Sequence, residues 1–326
     1  MADAELVNKS RAGRKADIRP CIGCNQGCAG HLQKDLAITC LTNPRMGLEG
    51  KWPEPENAPT SAPAHVLVIG GGPAGLEAAW VAAARGHQVT LWEQSSQLGG
   101  QLNALSGLHK REEFLGLLTY QTHQCTTHGV AIALGQVAIP DSVESLAPDA
   151  VILATGSDPV PMELPMGGQS LTLDEALEDP DRLGQRVAVY DTIGEWSALG
   201  AIEHWTEQGK SVAVFSPVPA FSWRTTIYST YANSIRLRER QVKIALMRRI
   251  LGFGNDGLHI EDTSTGERET VSGFDSLVAI QYNVSRDHLY GSLRKLQIPL
   301  HLVGDALSPR TALEAVFEGH EIAMAL

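Results

Sequence analysis

The sequence predicts an α/β protein of two doubly wound domains, the second inserted in the first, with a cysteine-rich segment ahead of both. Three observations carry this. Strand and helix signals alternate in two separate stretches of the chain. Glycine-rich turns, drawn from 32 glycines in 326 residues, punctuate them. Four of the five cysteines crowd between positions 21 and 40. The length is enough for two independently packed cores.

By composition, residues 1–50 hold the cysteine cluster, and residues 51–64, with four prolines, read as an extended linker. Residues 65–160 together with 297–326 form the first Rossmann-like domain, and residues 161–296 form the second. His65–Ile69 (HVLVI) reads as a buried strand, Pro73–Arg85 as an alanine-rich helix and Gln88–Trp92 as the next strand. That βαβ order implies a parallel sheet with right-handed crossovers. Ala150–Ala154 is a further strand, ending in Thr155 and Gly156. In the second domain, Arg186–Tyr190 and Ser211–Phe215 read as strands around a helix over Trp196–Gln208. From His301 the chain returns to strand, Gly304-Asp305 and a helix beginning near Thr311.

Cys21, Cys24, Cys28 and Cys40 are spaced C-x2-C-x3-C-x11-C. Three thiolates within eight residues can wrap one face of a 4Fe–4S cubane, and a distant fourth closes it. Structural zinc also takes four thiolates, although usually from two separated C-x2-C knuckles, and free thiols are the third alternative. Cys125 stands alone in the sequence and reads as a buried small hydrophobe.

After the first strand, Gly70-Gly71-Gly72-Pro73-Ala74-Gly75 is a full G-x-G-x-x-G opening a helix. Gly70 makes the turn, Gly72 admits a pyrophosphate and Gly75 allows close packing, with the phosphates on the helix N-terminus. Glu93 ends the second strand, where an acid accepts hydrogen bonds from a ribose, with Gln94 beside it. The Leu98–Leu102 loop brings Gly100, Gln101 and Leu102 to the cofactor, and Thr155, Gly156, Gly304, Asp305 and Thr311 complete the candidate set. Asp305, placed to bind ribitol hydroxyls, favours FAD over NAD. In the second domain the corresponding turn, Asp191–Trp196, keeps only Gly194, and its acids would repel a pyrophosphate. The nicotinamide nucleotide site there reads as lost.

A net charge of −11 argues against nucleic acid as a partner, and no apolar run is long enough for a membrane span. The first residues lack a secretory core, so the chain reads as cytoplasmic.

Taken together, CIGCNQGC, TCLTNP (Thr39–Pro44), VIGGGPAGLEAA, LGGQLN and GDALSPRTALEAVFEGH resemble one family. It is that of trimethylamine dehydrogenase, 2,4-dienoyl-CoA reductase and related NADH:flavin oxidoreductases. The resemblance implies a glutathione-reductase-like FAD/NAD(P) fold behind an iron–sulfur segment. It also implies an FMN-bearing TIM barrel, on a partner or on a part cut away, because only a stretch similar to that barrel's tail precedes Cys21. In the amine-oxidising branch the second nucleotide domain is degenerate and the first holds ADP, so the resemblance leaves bare ADP as the alternative to FAD. The expected role is then to relay electrons from oxidation of a small N-methylated amine, through 4Fe–4S, to an electron-transferring flavoprotein. In the alternative branch NAD(P)H feeds electrons through FAD and the cluster to an enoate. A non-redox scaffold holding ADP and zinc is a third class.

Overall fold

The computed structural model describes residues 1–108 and 110–326. They form two compact units: residues 1–103, 112–158 and 284–326 make the first, and residues 104–111 and 159–283 the second.

The first unit leaves its irregular cysteine-bearing segment through β1 (His65–Ile69), whose residues beyond His65 are fully buried. A strand covered on both faces needs such a continuous apolar run. Helix α1 (Pro73–Ala84) follows, with proline in its first turn and burial from Ala74 to Ala82. Small alanine side chains let it lie close to its neighbours. Then come β2 (Gln88–Glu93), α2 (Phe114–Thr127), β3 (Ala131–Leu134) and β4 (Ala150–Leu153).

The inserted unit contributes β5 (Leu171–Thr172), β6 (Arg186–Asp191), α3 (Trp196–Glu207), β7 (Ser211–Ser216), α4 (Ile227–Glu239) and β8 (Lys243–Leu246). Three antiparallel strands follow, β9 (Arg248–Gly254), β10 (Gly257–Asp262) and β11 (Arg268–Val271), and then β12 (Ser276–Ile280). The chain re-enters the first unit for β13 (Leu300–Leu302) and α5 (Ala312–Ala325).

The first unit's sheet has the order β13-β4-β1-β2-β3 and the second unit's β5-β12-β6-β7-β8; all pairings within both are parallel. In the first, β1 is flanked by β2 on one side and by the later β4 on the other. The order reverses there, and doubly wound sheets receive ligands outside the carboxyl ends of strands at that point.

Two features differ from the boundaries read in the sequence. Residues 284–296 lie in the first unit, because Val284–Ser285 pairs antiparallel with Ser157–Asp158 and Leu293 packs among Leu67, Val151 and Leu153. Residues 104–111 lie in the second, where the Arg111 guanidinium sits 4.8 Å from the Trp196 ring and the Leu108 side chain reaches Gly200. Among the described residues no helix is long and apolar enough to cross a membrane.

Candidate functional site

The candidate residues of the first unit collect at the carboxyl ends of four strands. After β1, Gly70 takes φ +110°, and a Cβ on it would stand 2.2 Å from the Ala154 carbonyl oxygen, so only glycine fits. Gly75 lies under the same turn, where a Cβ would come within 1.9 Å of the Gly70 oxygen. Gly72, the N-cap of α1, is different. Its backbone is ordinary (φ −76°), no side chain caps the helix, and a Cβ would meet nothing within 4 Å. That open space in front of helix N–H groups that no side chain caps is a candidate cradle for an anion. Pro73 and Ala74 belong to the first turn of α1 behind it.

Glu93 closes the cradle from β2. It is buried, and its two oxygens accept from the backbone N–H of Gly71 and of Ser95, both at 2.7 Å. Gln94 is exposed beside it. The Leu98–Leu102 loop packs onto the first turn: Gly99 N–H donates to Gly71 O, and a Cβ on Gly100 would approach the Gly72 Cα to 3.3 Å. Leu102 is buried.

A second group forms across β4 and β13. Gln101 Nε2 donates to Ser157 Oγ (2.9 Å) and Asp305 Oδ2 (3.2 Å), and Ser157 Oγ donates to Asp305 Oδ2 (2.8 Å). Arg310 N–H binds the other Asp305 oxygen. Thr155 Oγ1 donates to Arg286 O, and Gly156 O accepts from Arg286 N–H, which fixes the end of β4. Gly304 sits at φ +62° with its N–H on Glu318. Thr311 caps α5, its hydroxyl accepting from Leu313 N–H. The sequence does not single out Ser157, Arg286 or Glu318.

The cysteine loop is part of the same unit. Thr39 N–H donates to Gly27 O at 2.9 Å, laying the Cys40 arm along the Cys21–Cys28 loop. Asn25 is left-handed and Gln26–Gly30 wind a wide turn, with Gln26 N–H on the Cys24 sulfur. None of the four thiols is in a disulfide. Burial, reinforced by the charges of Cys40, Cys28 and Cys21, pushes the Cys24 thiol up to about 12. Cys24 therefore lies within reach of the charges of the other three sulfurs, and a thiolate there needs a cation to offset its burial. Among the described residues no three His, Cys, Asp or Glu side chains already stand at the spacing of a bound metal ion. Gln26 also meets the cap of α5, since the Thr311 hydroxyl lies 3.4 Å from its Oε1. Cys125 is fully buried, and burial pushes its thiol up to about 12.

Behind the cysteine segment lies a buried polar network. Glu77 of α1 accepts from Trp80 Nε1 (2.8 Å) and Gln121 Nε2 (3.0 Å) and pairs with His320 Nδ1 of α5 (3.0 Å). Burial raises its pKa, but His320, the Arg19 charge and the Trp80 bond outweigh that and leave it lowered, so Glu77 is ionised.

In the second unit the turn after β6 is already filled. Asp191 is fully buried, and its Oδ1 accepts from the N–H groups of Ile193 (3.0 Å) and Gly194 (2.9 Å), which a pyrophosphate would otherwise use. The Trp223 ring lies over Gly194, where a Cβ would come within 2.3 Å of it.

This fold and this glycine turn define the class: an FAD-type Rossmann fold of the oxidoreductases described as pyridine nucleotide-disulphide oxidoreductase, whose family pattern matches residues 64–190. Within that class the chain's homologues are members of the trimethylamine/dimethylamine dehydrogenase and enoate reductase family, and the chain is similar to their C-terminal part. It is 31% identical to a metal reductase of Desulforamulus reducens, over 99% of this chain and 52% of that protein. To a cinnamate reductase of Clostridium sporogenes it is 28% identical, over 99% and 48%. The solved histamine dehydrogenase of Rhizobium sp. 4-9 superposes with a TM-score of 0.91 at 26% identity, covering all of this chain and 53% of that one. The chain thus spans about half the length of the relatives it matches. Those relatives are flavin and iron–sulfur oxidoreductases, amine dehydrogenases and enoate reductases among them.

Proposed function

We propose that this chain is an electron-transfer module, with a 4Fe–4S cluster on Cys21, Cys24, Cys28 and Cys40 beside FAD. The FAD is held by Gly70, Gly72, Gly75, Glu93, Gln101 and Asp305. The observation that carries the proposal is the Gln26–Thr311 contact, which joins the cysteine loop to the helix cap behind Asp305. When bound, such a cluster exchanges single electrons and the flavin stores two. The chain's own residues bind and position: Gly72 leaves room for phosphate, Glu93 offers its carboxylate to a ribose, and the Gln101–Ser157–Asp305 group faces the remaining hydroxyls. Asp305 before the α5 cap supports FAD over ADP.

By analogy with the relatives, the donor is an FMN-bearing TIM barrel, on a partner or on the same longer chain, oxidising a small N-methylated amine. The acceptor is then a protein such as an electron-transferring flavoprotein. The alternative, entry of electrons from NAD(P)H toward an enoate, draws on the cinnamate reductase relative, but Asp191 stands against nucleotide binding in the second unit. The deciding experiment releases cofactors from the purified protein and separates FAD, FMN and ADP, with iron and sulfide counts. FAD with four iron and four sulfide, on the stoichiometry of a cubane, is expected; ADP, or zinc without iron, overturns the reading. Rapid anaerobic bleaching of the flavin by NADH or NADPH would select the alternative.

A further inference from the structure

The cysteine segment is built as two arms. One runs into Cys21 through Arg19 and Pro20, and the other leaves Cys40 through Leu41, Thr42 and Asn43. Two hydrogen bonds close them: Arg19 Nη1 donates to Asn43 Oδ1 (2.8 Å) and Thr42 Oγ1 donates to Pro20 O (3.0 Å). Asn43 N–H in turn donates to Cys40 O (3.1 Å), and the Thr42 hydroxyl lies 3.4 Å from the Cys40 sulfur. Arg19 and Asn43 are both buried.

A packing role alone does not explain why this position carries an arginine. The guanidinium sits 5.1 Å from the Tyr120 ring and 5.8 Å from the Trp80 ring, and its Nε has no protein partner. A charge buried in this way costs free energy unless something nearby uses it. The ionised Glu77 carboxylate, anchored by Trp80, Gln121 and His320, is a fixed counter-charge to Arg19, together with Glu54 and Asp3. A guanidinium remains charged at every pH at which proteins fold.

We propose that Arg19 is a positioning residue of the cysteine site, clasping the two ligand arms and placing a permanent positive charge where they meet at Asn43, with Glu77 as an opposing charge. This rests on the reading that the four cysteines hold a one-electron cluster. A cluster on four thiolates is anionic, and reduction adds further negative charge. A fixed cation nearby favours the reduced state and a fixed anion disfavours it. Removing Arg19 should therefore lower the potential, and neutralising Glu77 should raise it.

The test is an anaerobic potentiometric titration of the full chain, followed by electron paramagnetic resonance, with iron and sulfide counted in each preparation. In R19Q we expect the midpoint to move negative by at least a tenfold change in the reduction equilibrium, about 59 mV for a one-electron couple. R19K, which keeps the charge, should stay within half that shift, and E77Q should move positive. R19Q with a full cluster and the wild-type midpoint overturns the assignment. If R19Q does not retain a cluster, E77Q decides, because it leaves the clasp intact; an unmoved or negative midpoint there overturns the charge role. Wild-type protein without iron overturns the cluster reading and this inference together. A loaded wild-type protein with unmoved variants overturns the Arg19 assignment alone.

Discussion

Gly72 and Gly75 both belong to the glycine turn, yet a methyl group added to each should have opposite consequences. At Gly75 the new Cβ would stand 1.9 Å from the Gly70 oxygen, against an ordinary carbon–oxygen approach of roughly 3.3 Å. Helix α1 would have to move by more than an ångström, at an overpacking cost of about 3 kcal/mol. For a domain of this size that lowers Tm by roughly 6–12 °C. At Gly72 the Cβ meets nothing within 4 Å and the backbone angles suit alanine. G72A should therefore melt no lower than wild type, and entropy lost from the unfolded chain could add about 0.4–1 kcal/mol. Its methyl nevertheless occupies the space assigned to the pyrophosphate. ADP affinity should fall about 100-fold, or roughly 3 kcal/mol. Thermal melts of the cofactor-free protein, paired with calorimetric titration of ADP, separate the two effects. G72A binding ADP with wild-type affinity would refute the placement of the phosphates, and G75A of wild-type stability would refute the packing argument.

Other predictions follow from the same contacts. C40S should abolish the brown iron–sulfur absorbance; retention of a full cluster would show that another group is the fourth ligand. E93A should weaken dinucleotide binding by about 1–3 kcal/mol, and unchanged affinity by equilibrium dialysis would count against the ribose role. Burial raises the Asp191 pKa despite its two backbone hydrogen bonds. Its folded state thus holds a proton more tightly than the unfolded chain, and stability falls as pH rises from 3.8 through the folded value. D191N should remove that slope and raise Tm at pH 7.5; a lower Tm would contradict it. Glu77 has the opposite sign: its lowered pKa adds stability that is complete above the unfolded value of 4.5 and is lost as pH falls through the folded one. Acid unfolding of E77Q should show a shallower pH dependence below 4.5.

The parts of this site legible in the sequence are contiguous. β1, the glycine turn, α1, β2 and Glu93 follow one another within thirty residues, and strand and helix periods write themselves directly into such a stretch. The cysteine spacing is equally local. What stayed hidden is long in range. Ser157 joins Gln101 and Asp305 across 56 and 148 positions, and Thr311 meets Gln26 across 285. No periodicity reports such partners. Arg19 was invisible for the same reason: in the sequence it is one basic residue among several before Cys21, and only the fold sets it on Asn43. In β9 the strand alternation is broken by a register shift between Ile250 and Gly252, which hides that strand from its pattern. The expectation that the second unit lacks a nucleotide site rests, by contrast, on Asp191 itself, whose carboxylate holds the turn.

The pairing of Ser157–Asp158 with Val284–Ser285 has a practical consequence. The points where the chain departs for the inserted unit and returns from it are hydrogen-bonded neighbours, so a short reverse turn could splice Asp158 to Val284 without stretching the first sheet. Such a pruned chain would keep the cysteine segment and the whole glycine cradle on one scaffold. It would also strip the cover from Leu108, which is 3% exposed and buttressed by residues of the excised part. Residues 104–111 are thus a strap lent to a lodger, and a working miniature needs Leu108 exchanged for a polar side chain at the same stroke.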